Sequence, residues 1–132
     1  MTRTTLVALH VALPLALGAA SYVVLRARVP LLGAHAALWP TAPAILRDHF
    51  ADAAWGWALG AFVSALWLGE KAARRAVWIA GAALVAAGVE CLQYAHILPG
   101  AFDVVDLAVQ VVAVLVAAGA TGGMRRWITV PV

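Results

Sequence analysis

The chain has 132 residues, of which 65% are hydrophobic and 11% charged, with a net charge of +3. A soluble domain carries about 25% charged residues and buries only part of so short a chain, so water is excluded as the main solvent and a bilayer takes its place. The nine Lys/Arg residues punctuate apolar runs without forming a patch, which excludes a nucleic-acid-binding face and reads as topogenic charge.

A helix needs about 20 residues to cross about 30 Å of hydrocarbon. Four segments reach that length, roughly 5–25, 45–68, 76–98 and 102–120. The first, Thr5 to Leu25, begins like a signal peptide, with Arg3 ahead of an apolar run and Gly18-Ala19-Ala20 resembling a cleavage site. The run continues past Ser21 to Leu25, longer than a signal peptide's apolar region, so an uncleaved helix kinked near Pro14 is expected. The connector RVPLLGAHAALWPTAP, residues 28–43, is too apolar for a free loop and too broken by Pro30, Pro40 and Pro43 for a span. It is expected to lie along the membrane surface, with Thr41 capping a helix that begins near Pro43.

The second segment carries Gly56, Gly60 and Ser64 in a small-xxx-small series that continues from Asp52 and favours close helix approach. Cys91, the single cysteine, excludes an internal disulfide and argues against a Cys-based metal site; it is expected to fill a gap in the third helix. The turn Leu98 to Ala101 is short enough to force the third and fourth segments into an antiparallel hairpin. With the N-terminus inside, Arg3, Lys71, Arg74, Arg75, Arg125 and Arg126 fall on the cytoplasmic side, leaving Arg26, Arg28 and Arg47 outside. Trp67, Trp78 and Trp127 then mark the inner interface. The expected architecture is an all-α polytopic membrane bundle of four transmembrane helices, one domain over residues 1–132, with both termini cytoplasmic.

Polar residues single out one end of this bundle. Of six acidic residues, only Glu70 falls in a cytoplasmic loop; Asp48, Asp52, Glu90, Asp103 and Asp106 all fall in the outer half. Asp48 and Asp52 share a face of the second helix, which Trp55 continues, and Glu90 and Gln93 share a face of the third beside Tyr94. Asp103, Asp106 and Gln110 form one stripe on the fourth. A carboxylate within a membrane costs several kcal/mol unless paired, protonated or facing water, so the three stripes are expected to meet in one cavity. Simpler roles compete with this: Asp103 as a helix N-cap, Asp48 as a surface partner of Arg47, His10 as a structural residue and His96 as a snorkelling one. His49 is placed either in the cluster or at the interface. Glu90 has neither a cap role nor a basic neighbour in sequence.

An unbalanced acidic site can be satisfied by a hard divalent cation, by protons shared between carboxyl groups, or by an amine-bearing ligand. The chain lacks Ser-x-x-Lys, HExxH, a Gly-rich phosphate loop and Cys/His metal spacing, so no catalytic device is recognisable.

The stretch VECLQYAHILPGAFDVVDLAVQ, residues 89–110, resembles the signature of the VanZ-like family of small membrane proteins. That signature reads roughly Glu-x-x-Gln, a short apolar stretch, Pro-Gly-Arg, then Phe-Asp-x-x-Asp and an Asn one turn later. Glu90, Gln93, Pro99, Gly100, Phe102, Asp103 and Asp106 match it. ILRDHFADAAWGWALG resembles the start of the family's second span, with Asp48, Asp52 and Trp55 in place. The likeness covers about Pro40 to Ala120, and the first helix matches in hydropathy alone. Ala101 stands where many relatives have Arg and Gln110 where they have Asn, which removes a natural partner for the carboxylates. The resemblance implies a multi-pass protein of the bacterial cytoplasmic membrane, and links the chain by family name to teicoplanin-type glycopeptide resistance.

The leading reading is an outward-facing acidic pocket that binds a lipid head group, a cell-wall precursor or a cation. A second is a membrane enzyme acting on a lipid-linked envelope substrate, with Glu90 or Asp103 as general acid/base and a divalent metal. A third is a subunit of an ion- or proton-coupled carrier, and a purely structural partner is the fourth.

Overall fold

A computed structural model describes residues 2–25, 28–29, 33–34, 39, 41–98 and 102–124. They form α1 (Arg3–Val7), a π-helical turn (Ala8–Ala12), α2 (Leu13–Leu25), β1 (Arg28–Val29), β2 (Gly33–Ala34), α3 (Ala44–Leu66), α4 (Ala72–Tyr94) and α5 (Val104–Gly123). Apart from the two-residue antiparallel pairing of β1 with β2, every regular element is helical. Pro30, Pro40, Pro99, Gly100, Ala101, Arg26, Arg125, Arg126 and Trp127, which carried parts of the expectations above, lie outside the described residues.

Among the described residues, three helices are long and apolar enough to cross a membrane: Thr4–Leu25, Ala72–Tyr94 and Val104–Gly123. α3 is as long as α4, at 23 residues, yet holds no continuous stretch apolar enough to count as a span, because Arg47, Asp48, His49 and Asp52 occupy its first turns and much of the rest is Ala and Gly. Its position explains the difference. α3 packs against all the other helices, most extensively α5, so little of its surface must dissolve in lipid.

The distribution of side-chain sizes is that of a membrane protein. Most buried positions on the three long helices are small: Ala51, Ala54, Ala58 and Ala61 on α3, Ala82 and Ala86 on α4, Ala113, Ala117 and Ala118 on α5. The large apolar residues point outward, with Leu84 72% and Val77 70% exposed. In water this arrangement leaves a large apolar surface unsatisfied; in lipid, association relies on close packing, which small residues permit.

The packing pairs fix the helix directions. His10 stacks on Trp57, with ring centroids 6.1 Å apart, and Trp67 stacks on Trp78 at 4.7 Å across the α3–α4 turn. α5 then runs parallel to α3, since Gly56 meets Gln110, Gly60 meets Val114, and the Ser64 hydroxyl donates to the Ala118 carbonyl at 3.0 Å. The small-xxx-small series is the seam between these two helices. A Cβ added at Gly60 would lie 2.1 Å from the Val114 carbonyl oxygen, so only glycine permits this backbone approach.

Helix ends depart from the sequence expectations in four places. The irregularity expected at Pro14 is a π turn just before it. Proline lacks an N–H and crowds the carbonyl four residues back, here that of His10, and the wider turn relieves both. Thr41 does not cap α3: Pro43 is the N-cap residue, and its carbonyl accepts the Leu46 and Arg47 N–H groups at 3.0 Å each. α4 starts at Ala72, earlier than expected, so that Arg74 and Arg75 lie inside its first turns, Arg74 paired with Glu70 at 2.9 Å and the Arg75 guanidinium against Gly122 of α5. Its other end falls at Tyr94, short of Leu98. His96 adopts a left-handed φ of 57°, and the His96 and Ile97 N–H groups bond back to the Gln93 and Leu92 carbonyls at 2.9 Å each. That is a complete Schellman closure, made with His where Gly is usual. Cys91, expected in a gap, is exposed on α4.

Candidate functional site

The polar residues gather at the end of the bundle that holds the α3 N-terminus and the α4–α5 turn. α5 opens with Asp103 as N-cap: its carboxylate accepts the Val105 N–H at 2.7 Å, and Asp106 lies in the first turn, where the helix dipole favours an acid. The cap role and the site role therefore coexist. From α4, the Glu90 carboxylate reaches the Asp103 N–H at 3.4 Å, and Glu90 is only 4% exposed. With α4 ending at Tyr94, Glu90 sits about 6 Å from the helix end at 1.5 Å per residue, shallower than a helix reaching Leu98 would place it.

α3 contributes two groups to the same stripe. His49 Nδ1 lies 2.5 Å from an Asp106 carboxylate oxygen, and Asp52 accepts a bond from the Gln110 side-chain amide at 3.1 Å. These two bridges extend the glycine seam upward, so that α3 and α5 are joined by polar groups at one end and bare backbone contact below. The i, i+3, i+7 stripe of Asp103, Asp106 and Gln110 thus faces its partners as expected. Asp48 does not share the face of Asp52 in function: Arg47 holds it bidentately at 2.9 and 3.0 Å at the rim. His49, three residues before Asp52, takes the position facing α5 instead.

Below the bridges a cavity of about 300 Å³ opens between α3 and α4, floored by α5. Asp52, Glu90, Gln93 and Gln110 form its polar end, and Trp55, Leu59, Val85 and Val89 line the rest. Gln93 and Trp55 therefore belong to the site. Tyr94 does not line it; it is 71% exposed and packs edge-on against Phe102 at 5.3 Å. His96 is exposed at the turn. The apolar walls escaped sequence reading. Trp55/Leu59 and Val85/Val89 are each i,i+4 pairs, yet such pairs recur along every helix of so apolar a chain.

His49, Asp103 and Asp106 each offer a ligand atom, all within 4.8 Å of one another. That spacing suits a cation bound at 2.0–2.6 Å, and the donor set of two carboxylates and an imidazole is chemically competent. The same atoms already bond one another and the α5 backbone, so a cation there would have to displace the His49–Asp106 contact. No protein-family model matches the sequence, and neither the curated proteins nor the solved structures yield a match.

Proposed function

We propose that the chain is a VanZ-like, multi-pass binding protein of the bacterial cytoplasmic membrane, whose outward-facing pocket holds a positively charged group of an envelope lipid or cell-wall precursor. The observation carrying this reading is the charge balance of the pocket. Asp52 and Glu90 line the pocket from α3 and α4, and Asp103 and Asp106 adjoin it on α5, where Asp106 bonds the His49 imidazole; Arg47, at the α3 N-terminus, is engaged by Asp48. Such a group of carboxylates, half-buried in a low-dielectric bundle, gains most from a ligand that brings positive charge and hydrogen-bond donors together. In this topology α3 is the fourth traverse, shielded from lipid by its neighbours, and both termini are cytoplasmic.

Calorimetric titration of the purified protein with propylammonium and with propionate tests the charge preference. The cation binds and the anion does not, and Glu90→Gln and Asp106→Asn each weaken cation binding at least tenfold. Absence of cation binding, or binding indifferent to both substitutions, overturns the reading. A divalent cation at His49, Asp103 and Asp106 is the second reading, favoured by their ligand-atom spacing. Titration with Mn²⁺ separates the two, since His49→Gln abolishes metal binding while leaving propylammonium binding intact. Reporter fusions after residues 72 and 100 test the orientation: inside at 72, outside at 100.

A further inference from the structure

We propose that the cavity between α3 and α4 is a lipid site, in which an aminophospholipid places its ammonium group between Asp52 and Glu90 and lays the upper part of one acyl chain against Leu59 and Val85. This rests on the positively charged ligand proposed above and gives it a tail and a direction.

The polarity of the cavity is ordered along the helix axes. On α4, Gln93 and Glu90 are nearest the α4–α5 turn, and Val89 and Val85 follow toward the helix middle. On α3 the same order runs from Asp52 through Trp55 to Leu59. Polar groups toward the membrane edge and apolar groups toward its centre is the order of a lipid leaflet, so a lipid enters without inverting. From Gln93 to Val85 the cavity spans about 12 Å of helix at 1.5 Å per residue. Its volume of about 300 Å³ is at the lower end for ligand pockets, enough for a head group and part of one chain. The second chain stays in the bilayer.

The head-group choice follows from charge. Glu90 is nine-tenths buried, and its one hydrogen bond among the described residues is the long 3.4 Å contact with the Asp103 amide. An ammonium supplies three donors and a compensating charge, with the Gln93 and Gln110 side chains at hand on the same wall. A glycerol head supplies donors without the charge, and its lipid brings a net anion toward two carboxylates. The opening faces lipid, because Val85 and Val89, on its α4 wall, are 64% and 39% exposed.

The probe is palmitoyl lysophosphatidylethanolamine, titrated against palmitoyl lysophosphatidylglycerol and followed by native mass spectrometry of the detergent-solubilised protein. One molecule of the ethanolamine lipid binds per chain, at least tenfold tighter than the glycerol lipid. Val85→Trp, which fills the groove from an exposed position, weakens binding at least tenfold, and Val85→Ala leaves it within twofold. Glu90→Gln removes the preference for the ethanolamine lipid. If Glu90→Gln weakens binding while Val85→Trp does not, the head-group pocket stands and the lipid groove is overturned. If Val85→Trp weakens both lipids equally and Glu90→Gln changes neither, the groove takes any acyl chain, and both the amine preference and the positively charged ligand are overturned.

Discussion

Two of the faces of α3, toward α5 and toward α4, end differently. Toward α5, Gly56, Gly60 and Ser64 bring the backbones together until a single added methyl would collide with Val114. Toward α4, Trp55 and Leu59 on one side and Val85 and Val89 on the other line a cavity of about 300 Å³. The same helix thus seals one interface and leaves a cavity at the other, where Leu59 packs against the small Ala82 and Ala86 below it. Lipid supplies no hydrophobic push between helices, so close packing of small residues holds a pair together. The polar groups sit where both faces meet.

The comparison breaks most sharply at Gly60. Gly60→Ala forces the α3 and α5 backbones apart and costs about 3 kcal/mol, the upper end for overpacking, read as a fall in unfolding midpoint in detergent. Gly81→Ala on α4 is the control, since nothing lies within 4 Å of that position; it gains up to about 1 kcal/mol from helix propensity. An equal response of the two variants would mean that the seam is not where the bundle is held.

Asp103 tests the polar junction. Asp103→Ala loses the cap on α5 and costs about 1 kcal/mol, whereas Asp103→Asn keeps a capping oxygen and most of that stability. Thermal unfolding of the pair separates the cap from the charge. A smaller effect is expected at Ser64→Ala, which removes the bond to Ala118 but keeps the close approach, at about 0.6 kcal/mol. A cost as large as that of Gly60→Ala would shift the seam's stability from packing to hydrogen bonding. The least effect is a gain: His96→Gly relieves a left-handed backbone at the end of α4 and adds about 0.5 kcal/mol, visible as slower amide exchange in the last turn.

Much of this was legible in the residues because its signals are local and periodic. The glycine series announced a close approach of α3 to another helix without naming α5, and the Asp103, Asp106, Gln110 spacing announced one face of α5. Glu90, polar and without a local role, announced a partner in space. What escaped was decided by tertiary contacts. Asp48 and His49 are adjacent on α3, and only the angular position of α5 selects the histidine. The turn at Leu98 to Ala101 drew the expected end of α4 to Leu98, because the Schellman closure uses His96 where a glycine would have been visible. Cys91 reads as small and apolar, which suits a gap and a lipid-facing surface equally. The cavity walls were hidden by abundance: one more Val pair carries no signal in a chain that is 65% hydrophobic.

The central claim is that polar groups from α3 and α5 meet inside the membrane-embedded bundle. Paired cysteines at positions 49 and 106, and at 52 and 110, in a Cys91→Ala background test it most directly, using a short bifunctional thiol reagent on intact membranes. Both pairs cross-link efficiently within one chain, and a pair at 84 and 106 stays unlinked as the control, since Leu84 is 72% exposed. Failure of both pairs to link, with each cysteine instead labelled by a lipid-phase maleimide, would contradict it.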